Sequence, residues 1–580
     1  MADNPSTKSK NLSALKSMLV QDMVEGRIEP FNTFASDVIR KITKKTSYKQ
    51  FEAVEVVSGM MAEPDFWQNE PIIKVSHKDL ASELGASDQY VAFNQLFDFE
   101  NGGIYKLEEQ VNAAYHKEVN QRTKYDKEVI NLDERINICY QIFEGKLPAI
   151  FHDPDKPDAP WLSPAQITSP QEMMMPPGHP AMMGEGMNPH AGMKGDAPVS
   201  ENQDILGKMM KSENLVATPE TLISDLLTAL QAGNVTDTKN RLQQIRDYQT
   251  IHGTNLPGEG QIKLEILYYD WNVFQTISYI CLILGLIYLV LCMISIFRTS
   301  SSEKILQFAR YPFYLTFAFF TAGLIVRWYI SDHAPWSNGY ETLVFVGWAT
   351  LLSGLIFSGK SNFSLAITGI LSGIALLVAG MSWMNPEITN LVPVLKSYWL
   401  IIHVAIITSS YGFLGMGALM GTMNLILMIL RSRTSNKKAL LKLNDSIMEI
   451  SIIIELTLMI GLYMLTIGCF IGGVWANESW GRYWGWDPKE TWALVSILVY
   501  SIILHLRNVP KLNNQVTLSS LAVVGFSAII MTFFGVNYYL SGMHSYGQGS
   551  PPPFPQVFIW ISAGIIILIY LAISAEKKRK

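Results

Sequence analysis

Asn272–Phe297 reads NVFQTISYICLILGLIYLVLCMISIF, 26 residues without an Asp, Glu, Lys, Arg or His. A helix of that composition is long enough to cross a bilayer, whose hydrocarbon core takes about 20 residues. Eight further apolar runs follow, at approximately 310–331, 341–359, 363–381, 398–430, 447–473, 490–507, 516–537 and 556–574. About nine spans predict an all-α polytopic membrane protein. Composition agrees: 49% of residues are hydrophobic and 16% charged, where an ordinary soluble domain carries about 25% charged residues.

Basic residues orient the spans. Arg431, Arg433, Lys437, Lys438 and Lys442 lie between spans five and six, Arg507 and Lys511 follow span seven, and the chain ends Lys577-Lys578-Arg579-Lys580. With alternating spans all three groups fall on one side, which is then cytoplasmic. The outer side receives Asp332–Tyr340, Ser382–Ser397, Trp475–Lys489 and Tyr538–Pro555. The expected location is the inner (cytoplasmic) membrane, with residues 1–270 on its outer, periplasmic side. The opening Met1-Ala2-Asp3-Asn4-Pro5 carries no apolar signal region. Either this chain is one part of a longer polypeptide, so that export of the first 270 residues depends on sequence upstream, or an unusual N-terminal translocation operates; the first is the preferred reading.

Those residues divide by composition. Residues 1–160 read as a compact, mostly helical extracytoplasmic domain, with apolar positions recurring in Phe51–Met61, Gln89–Phe99 and Val111–Phe143. Residues 161–200 are a Pro/Gly/Met-rich linker without a packable pattern. Met173, Met174, Met175, His179, Met182, Met183, Met187, His190 and Met193 in it offer soft ligands of the kind that bind Cu(I); low-complexity linker is the preferred reading. Residues 201–270 form a helical segment leading to the membrane, chiefly Pro219–Tyr248, and residues 271–580 form the transmembrane domain. A net charge of −5 without a basic stripe outside the membrane loops argues against nucleic acid as a partner. Four cysteines, none at C-x-x-C spacing, argue against a disulfide framework or a thiol metal site.

The densest chemistry lies in 474–492, VWANESWGRYWGWDPKETW, read as an outer loop. Trp475, Trp480, Trp484, Trp486 and Trp492 fall within 18 residues of one another. An interfacial aromatic belt scatters one or two such residues per span end; five interleaved with Gly481 and Gly485 suit a platform for a large planar ligand. Asp487-Pro488-Lys489-Glu490 also spells a helix start, with Asp487 as cap, Pro488 in the first position and Glu490 closing a capping box. His403 sits a few residues into span five and His544 follows span eight, so two imidazoles flank the aromatic stretch and are candidates to ligate one haem iron axially. The alternative for each is a packed, hydrogen-bonded membrane histidine. His505 lies 15 residues beyond Glu490 on the same helix, about 22 Å deeper at 1.5 Å per residue. It reads either as an inner waiting site or as a helix-end histidine beside Arg507. Arg327 is a snorkelling residue or a partner for propionate carboxylates. Nothing singles out His333, and Glu455 inside span six calls for a partner.

WGRYWGWDPKETWAL resembles the tryptophan-rich WWD motif of haem-handling proteins. Together with RWYISDHAPWSNGYET, LKSYWLIIHV, the His505 helix and GVNYYLSGMHSYG, it resembles the CcsA (ResC) component of system II cytochrome c biogenesis over residues 310–550. Residues 1–160 resemble the extracytoplasmic segment ahead of the CcsA part in fused CcsB–CcsA proteins. The resemblance implies haem b as substrate, His403 and His544 as its outer axial ligands, and the tryptophan stretch with Asp487 as its platform. His505 matches a histidine implicated in moving haem outward. It further implies a CcsB/ResB-like membrane subunit, apocytochrome c and a thioredoxin-like thiol reductant as partners. The function implied is the haem-presenting part of a holocytochrome c synthase. Two alternatives stay open: a haem exporter or chaperone without synthase activity, and a membrane electron-transfer haem protein.

Overall fold

The computed structural model describes residues 12–22, 26–99, 102–118, 121–153, 159–168, 218–297, 302–381, 384–391, 395–540, 542 and 556–578. The chain divides into two units, Met1–Gly258 and Glu259–Lys580, each with its own hydrophobic core.

In the first unit, Phe31–Thr43, Ala53–Ala62 and Lys124–Phe143 are helices, accompanied among the described residues by four small two-stranded antiparallel sheets. Gln89–Phe99, expected as helix, instead holds strand Tyr90–Val91, a 3-10 turn Asn94–Leu96 and strand Phe97–Asp98. Asp88 and Gln89 have φ of 50° and 66°, left-handed values that belong to a hairpin turn and stop a helix before it begins. Val91 and Leu96 are buried all the same, so the apolar signal was right about burial and wrong about period. The stretch Val111–Phe143 contains two helices, Glu108–Tyr115 and Lys124–Phe143, the second opened by a Thr123/Asp126 capping box.

Beyond residues 169–217, which include the copper-candidate methionines and His179 and His190 and lie outside the described residues, the chain returns to the same core. Helices Pro219–Gln231 and Val235–His252 bury Leu222, Ile223, Leu226 and Ile245 there. The Gln249 amide donates to the carbonyls of Leu19 at 2.8 Å and Ile150 at 2.9 Å. Glu259–Trp271 belongs to the second unit.

Nine helices among the described residues of that unit are long and apolar enough to cross a membrane: Val273–Phe297, Lys304–Ser331, Gly339–Phe357, Asn362–Ala379, Tyr398–Arg433, Lys437–Trp480, Pro488–Asn508, Gln515–Tyr539 and Val557–Lys577. They are spans one to nine. Small residues let backbones approach, as expected where helices gain nothing by hiding from lipid. A Cβ on Gly285 of span one would meet the Ile370 amide of span four at 2.7 Å. Spans five and six form the longest hairpin and share a buried polar contact, Asn424 to Ser451 at 2.9 Å, which also reaches Ser519 of span eight at 3.0 Å.

One end of the bundle gathers the basic residues. Arg431 bonds Asn444 at 3.1 Å and pairs with Glu576, and Lys442 donates to the Ser295 carbonyl near the end of span one at 2.7 Å. The tryptophan-rich sequence is at the other end.

Candidate functional site

Span six sets the site. It runs 44 residues, ten further toward the basic end and seven further toward the tryptophan end than its apolar core. Ala476-Asn477-Glu478-Ser479 are compatible with helix although too polar for lipid, so the helix continues until Gly481 caps it with φ 71°. Trp475 and Trp480 therefore sit on a helix and Trp492 on the next one, leaving Gly481–Asp487 as the true connection.

The five indoles do not make one flat surface. Trp475 is buried and meets Trp480 edge to face, with centroids 4.8 Å apart. Trp484 and Trp486 form a second edge-to-face pair at 5.9 Å. Trp486 is 71% exposed and holds φ of 58°, a conformation bulky residues rarely adopt and one that marks functional loops. The Trp492 carbonyl accepts from Thr532 at 3.2 Å, where span eight loosens into a π turn over Met531–Gly535.

The capping box forms as the sequence predicts: Asp487 accepts from the Lys489 amide at 3.3 Å and Glu490 from the Asp487 amide at 3.3 Å. Glu490 also accepts from the Gly485 amide at 2.7 Å, so one carboxylate pins the loop to span seven. Asp487 is buried. Lys489, one residue past the proline, donates to Asn537 at 3.0 Å.

His403 lies in the first turns of span five, and its Nδ1 is 2.7 Å from the Gly468 carbonyl of span six. A carbonyl only accepts, so Nδ1 carries the proton and a neutral ring keeps its lone pair on Nε2, the tautomer an iron ligand needs. One turn on, a Cβ at Gly472 would stand 2.5 Å from Nδ1 and 3.1 Å from Nε2. Glycine there leaves the ring its place. At Gly473 a Cβ would meet the Tyr483 carbonyl at 3.1 Å, so the tryptophan loop folds back onto span six beside the residue that faces His403. Trp484 Nε1 is buried and has no hydrogen-bond partner among the described residues. A donor in that state suits an acceptor on a ligand. Among the described residues no three His, Cys, Asp or Glu converge on a metal ion; a haem iron asks for less, one axial imidazole on each face.

His544 lies outside the described residues. At Gly542, two residues before it, a Cβ would run into the Asp487 carboxylate and Pro488. His505 is the last residue of its helix, with Nδ1 2.7 Å from the Ser501 carbonyl. Arg507 beside it pairs with Glu455, which supplies the partner that Glu455 calls for. That contact fixes depth. Thirteen residues separate Glu455 from Lys442 on span six, roughly 20 Å, and Lys442 marks the end of span one. Span seven thus stops well short of the basic end.

Arg327 does not snorkel. It is 1% exposed and donates to Glu341 at 2.8 Å, Tyr268 at 3.0 Å, and the carbonyls of Pro386 at 3.1 Å and Glu387 at 3.3 Å. The cause is Glu341, itself fully buried, whose charge needs a neighbouring cation. The His333 ring contacts the Ala334 and Thr389 carbonyls at 3.2 and 3.1 Å, a structural role. Gly472, Trp336 and Asn537 were not singled out by sequence; each acts through a neighbour distant in the chain.

A family model described as cytochrome C assembly protein matches residues 336–544. Protein NrfI of Wolinella succinogenes is 35% identical over 548 residues, covering 94% of this chain, which spans 56% of that relative. The cytochrome c biogenesis protein CcsA of Prochlorococcus marinus is 34% identical over 301 residues, 47% of this chain and 94% of the relative. That of Guillardia theta is 36% identical over 244 residues, 38% and 79% respectively.

Proposed function

Because the chain belongs to the CcsA family of cytochrome c biogenesis proteins, we propose that its tryptophan end holds haem b, as substrate, on the outer side of a cell's inner membrane for covalent attachment to apocytochrome c. The observation that carries this reading is the pairing at adjacent glycines. Gly472 accommodates the His403 ring while Gly473 receives the folded-back loop at Tyr483, so the imidazole and the tryptophan-rich loop meet span six at one level. His544 is the second axial ligand, Trp484 offers its indole N–H to the haem edge, and Trp475, Trp480, Trp486 and Trp492 wall the site with Asp487 holding the turn. Arg327 stands behind it as a buried support.

The basic end faces the cytoplasm, in keeping with Arg431, Arg433, Lys437, Lys438 and Lys442 there; the tryptophan loop and the first unit are outside. Haem enters from the basic end and pauses at His505, whose helix stops about 20 Å short along span six. At the outer site the apocytochrome histidine displaces one ligand, and each cysteine S–H adds across a vinyl C=C, sulfur to one carbon and hydrogen to the other. Holding thiol and vinyl together supplies the orientation that such an addition lacks in free solution. A CcsB-like membrane subunit completes the machine, and a thioredoxin-like reductant keeps the cysteines as thiols.

The test is the visible spectrum of the detergent-purified protein, co-expressed with a CcsB-like subunit, beside His403→Ala and His544→Ala. Low-spin haem bands in the wild type, weakened in both variants and returned by imidazole, are expected. Bands unchanged in both variants overturn the ligand assignment. Thioether-linked haem on a co-expressed apocytochrome separates a synthase from an exporter.

A further inference from the structure

We propose that Trp336 is a positioning residue for His403, holding the first turn of span five so that the imidazole presents Nε2 to haem; this rests on the ligand reading above. Trp336 Nε1 donates to the Ile401 carbonyl at 3.1 Å. Ile401 is two residues before His403, and its carbonyl already has a helical duty toward the residue four ahead. The indole bond is therefore an additional restraint on this turn, applied from outside the helix.

The restraint is itself well anchored. The Trp336 ring packs against Phe345 at 4.6 Å and Trp328 at 5.5 Å, and its carbonyl accepts from Thr342 at 3.2 Å. The next residue, Ser337, gives its amide to Glu341 Oε2 at 2.9 Å, while Oε1 of the same carboxylate takes the Arg327 guanidinium at 2.8 Å. Arg327 is in turn tied to Tyr268 and to two backbone carbonyls. A buried ion pair is thus connected, bond by bond, to the turn that carries His403. On its other flank span five is tied to span six by Ser397 to Glu478 at 2.9 Å and by His403 itself to Gly468. The ring is held between two fixed surfaces. Ligand constellations work when placed within about 0.5 Å of their productive geometry, and a helix end left unrestrained frays.

Trp336→Phe keeps the ring and deletes the N–H. The experiment compares wild type, Trp336→Phe and His403→Ala, purified with the CcsB-like subunit and normalised to folded protein, by low-spin haem absorbance and haem reduction potential, with and without imidazole. The expected result is a partial loss of low-spin bands in Trp336→Phe, smaller than in His403→Ala, a shifted potential, and return of the bands with imidazole. Thr342→Val, which loosens the same residue from its carbonyl side, shifts the bands in the same direction and serves if Trp336→Phe yields little protein. Wild-type spectra and potential in these variants, alongside a loss in His403→Ala, overturn the proposal and leave the ligand reading intact. No loss in His403→Ala overturns the ligand reading itself.

Discussion

The imidazole of His403 occupies the space that any side chain on Gly472 would need: a Cβ there would stand 2.5 Å from Nδ1 and 3.1 Å from Nε2. Neither partner can move freely, since Nδ1 is bonded to the Gly468 carbonyl one turn away. Gly472→Ala must therefore displace the ring or push spans five and six apart, at about 1–3 kcal/mol for overpacking. Low-spin haem absorbance should fall toward the His403→Ala level, while Gly473→Ala, which meets the Tyr483 carbonyl, should disturb the loop and leave the His403 bond in place.

Arg327→Met should be severe. It strands the Glu341 carboxylate, which is fully buried, and removing one member of such a pair costs about 3–5 kcal/mol. Adding Glu341→Gln removes the stranded charge and should recover part of the loss. Thermal melting of the detergent-solubilised protein reads both; equal melting temperatures for the single and double variants would refute the charge argument.

The Glu455–Arg507 pair joins span six to the end of span seven. Arg507→Glu sets two carboxylates face to face and should lower the amount of folded protein in the membrane. The double exchange, Glu455→Arg with Arg507→Glu, restores opposite charges and should restore the amount. Failure of the exchange to rescue would mean that the contact does not set the depth of His505.

In the first unit the Asp126 carboxyl is informative. Burial alone would raise its pKa, but hydrogen bonds from Lys117 and Thr123 outweigh that and bring it down to about 2, from 3.8. A carboxyl depressed by folding stabilises the folded state above its unfolded pKa and ceases to as pH falls through the folded one. Amide-exchange protection at the start of helix Lys124–Phe143 should hold above pH 4 and decline between about 4 and 2. In Asp126→Asn that decline should be weaker, from a baseline lower by about 1 kcal/mol for the weakened cap.

How much could be read beforehand follows from how local each signal is. The nine spans were legible because lipid imposes both length and composition, and most observed ends fall within a few residues of the apolar limits. Span six was cut short because Asn477 and Glu478 end the apolar signal without ending the helix. The Asp487/Glu490 box was legible because all its partners lie within four residues. Arg327 was not, since Tyr268 and Pro386 are each 59 positions away, and no spacing rule connects them. The same holds for Trp336 and Ile401, 65 apart. In the first unit, the Asp88-Gln89 turn decided between hairpin and helix, and a periodicity scan does not weigh φ.

The first unit's core is closed by chain from both sides of residues 169–217, with Gln249 bonded to Leu19 and Ile150. Covalent continuity across that interval is thus separable from the integrity of the unit. A protease site placed there would yield two polypeptides that stay associated through purification, the downstream one retaining the nine membrane-length helices of the described residues. The interval is also a natural address for an inserted tag or reporter, because both of its anchor points are held by the same body.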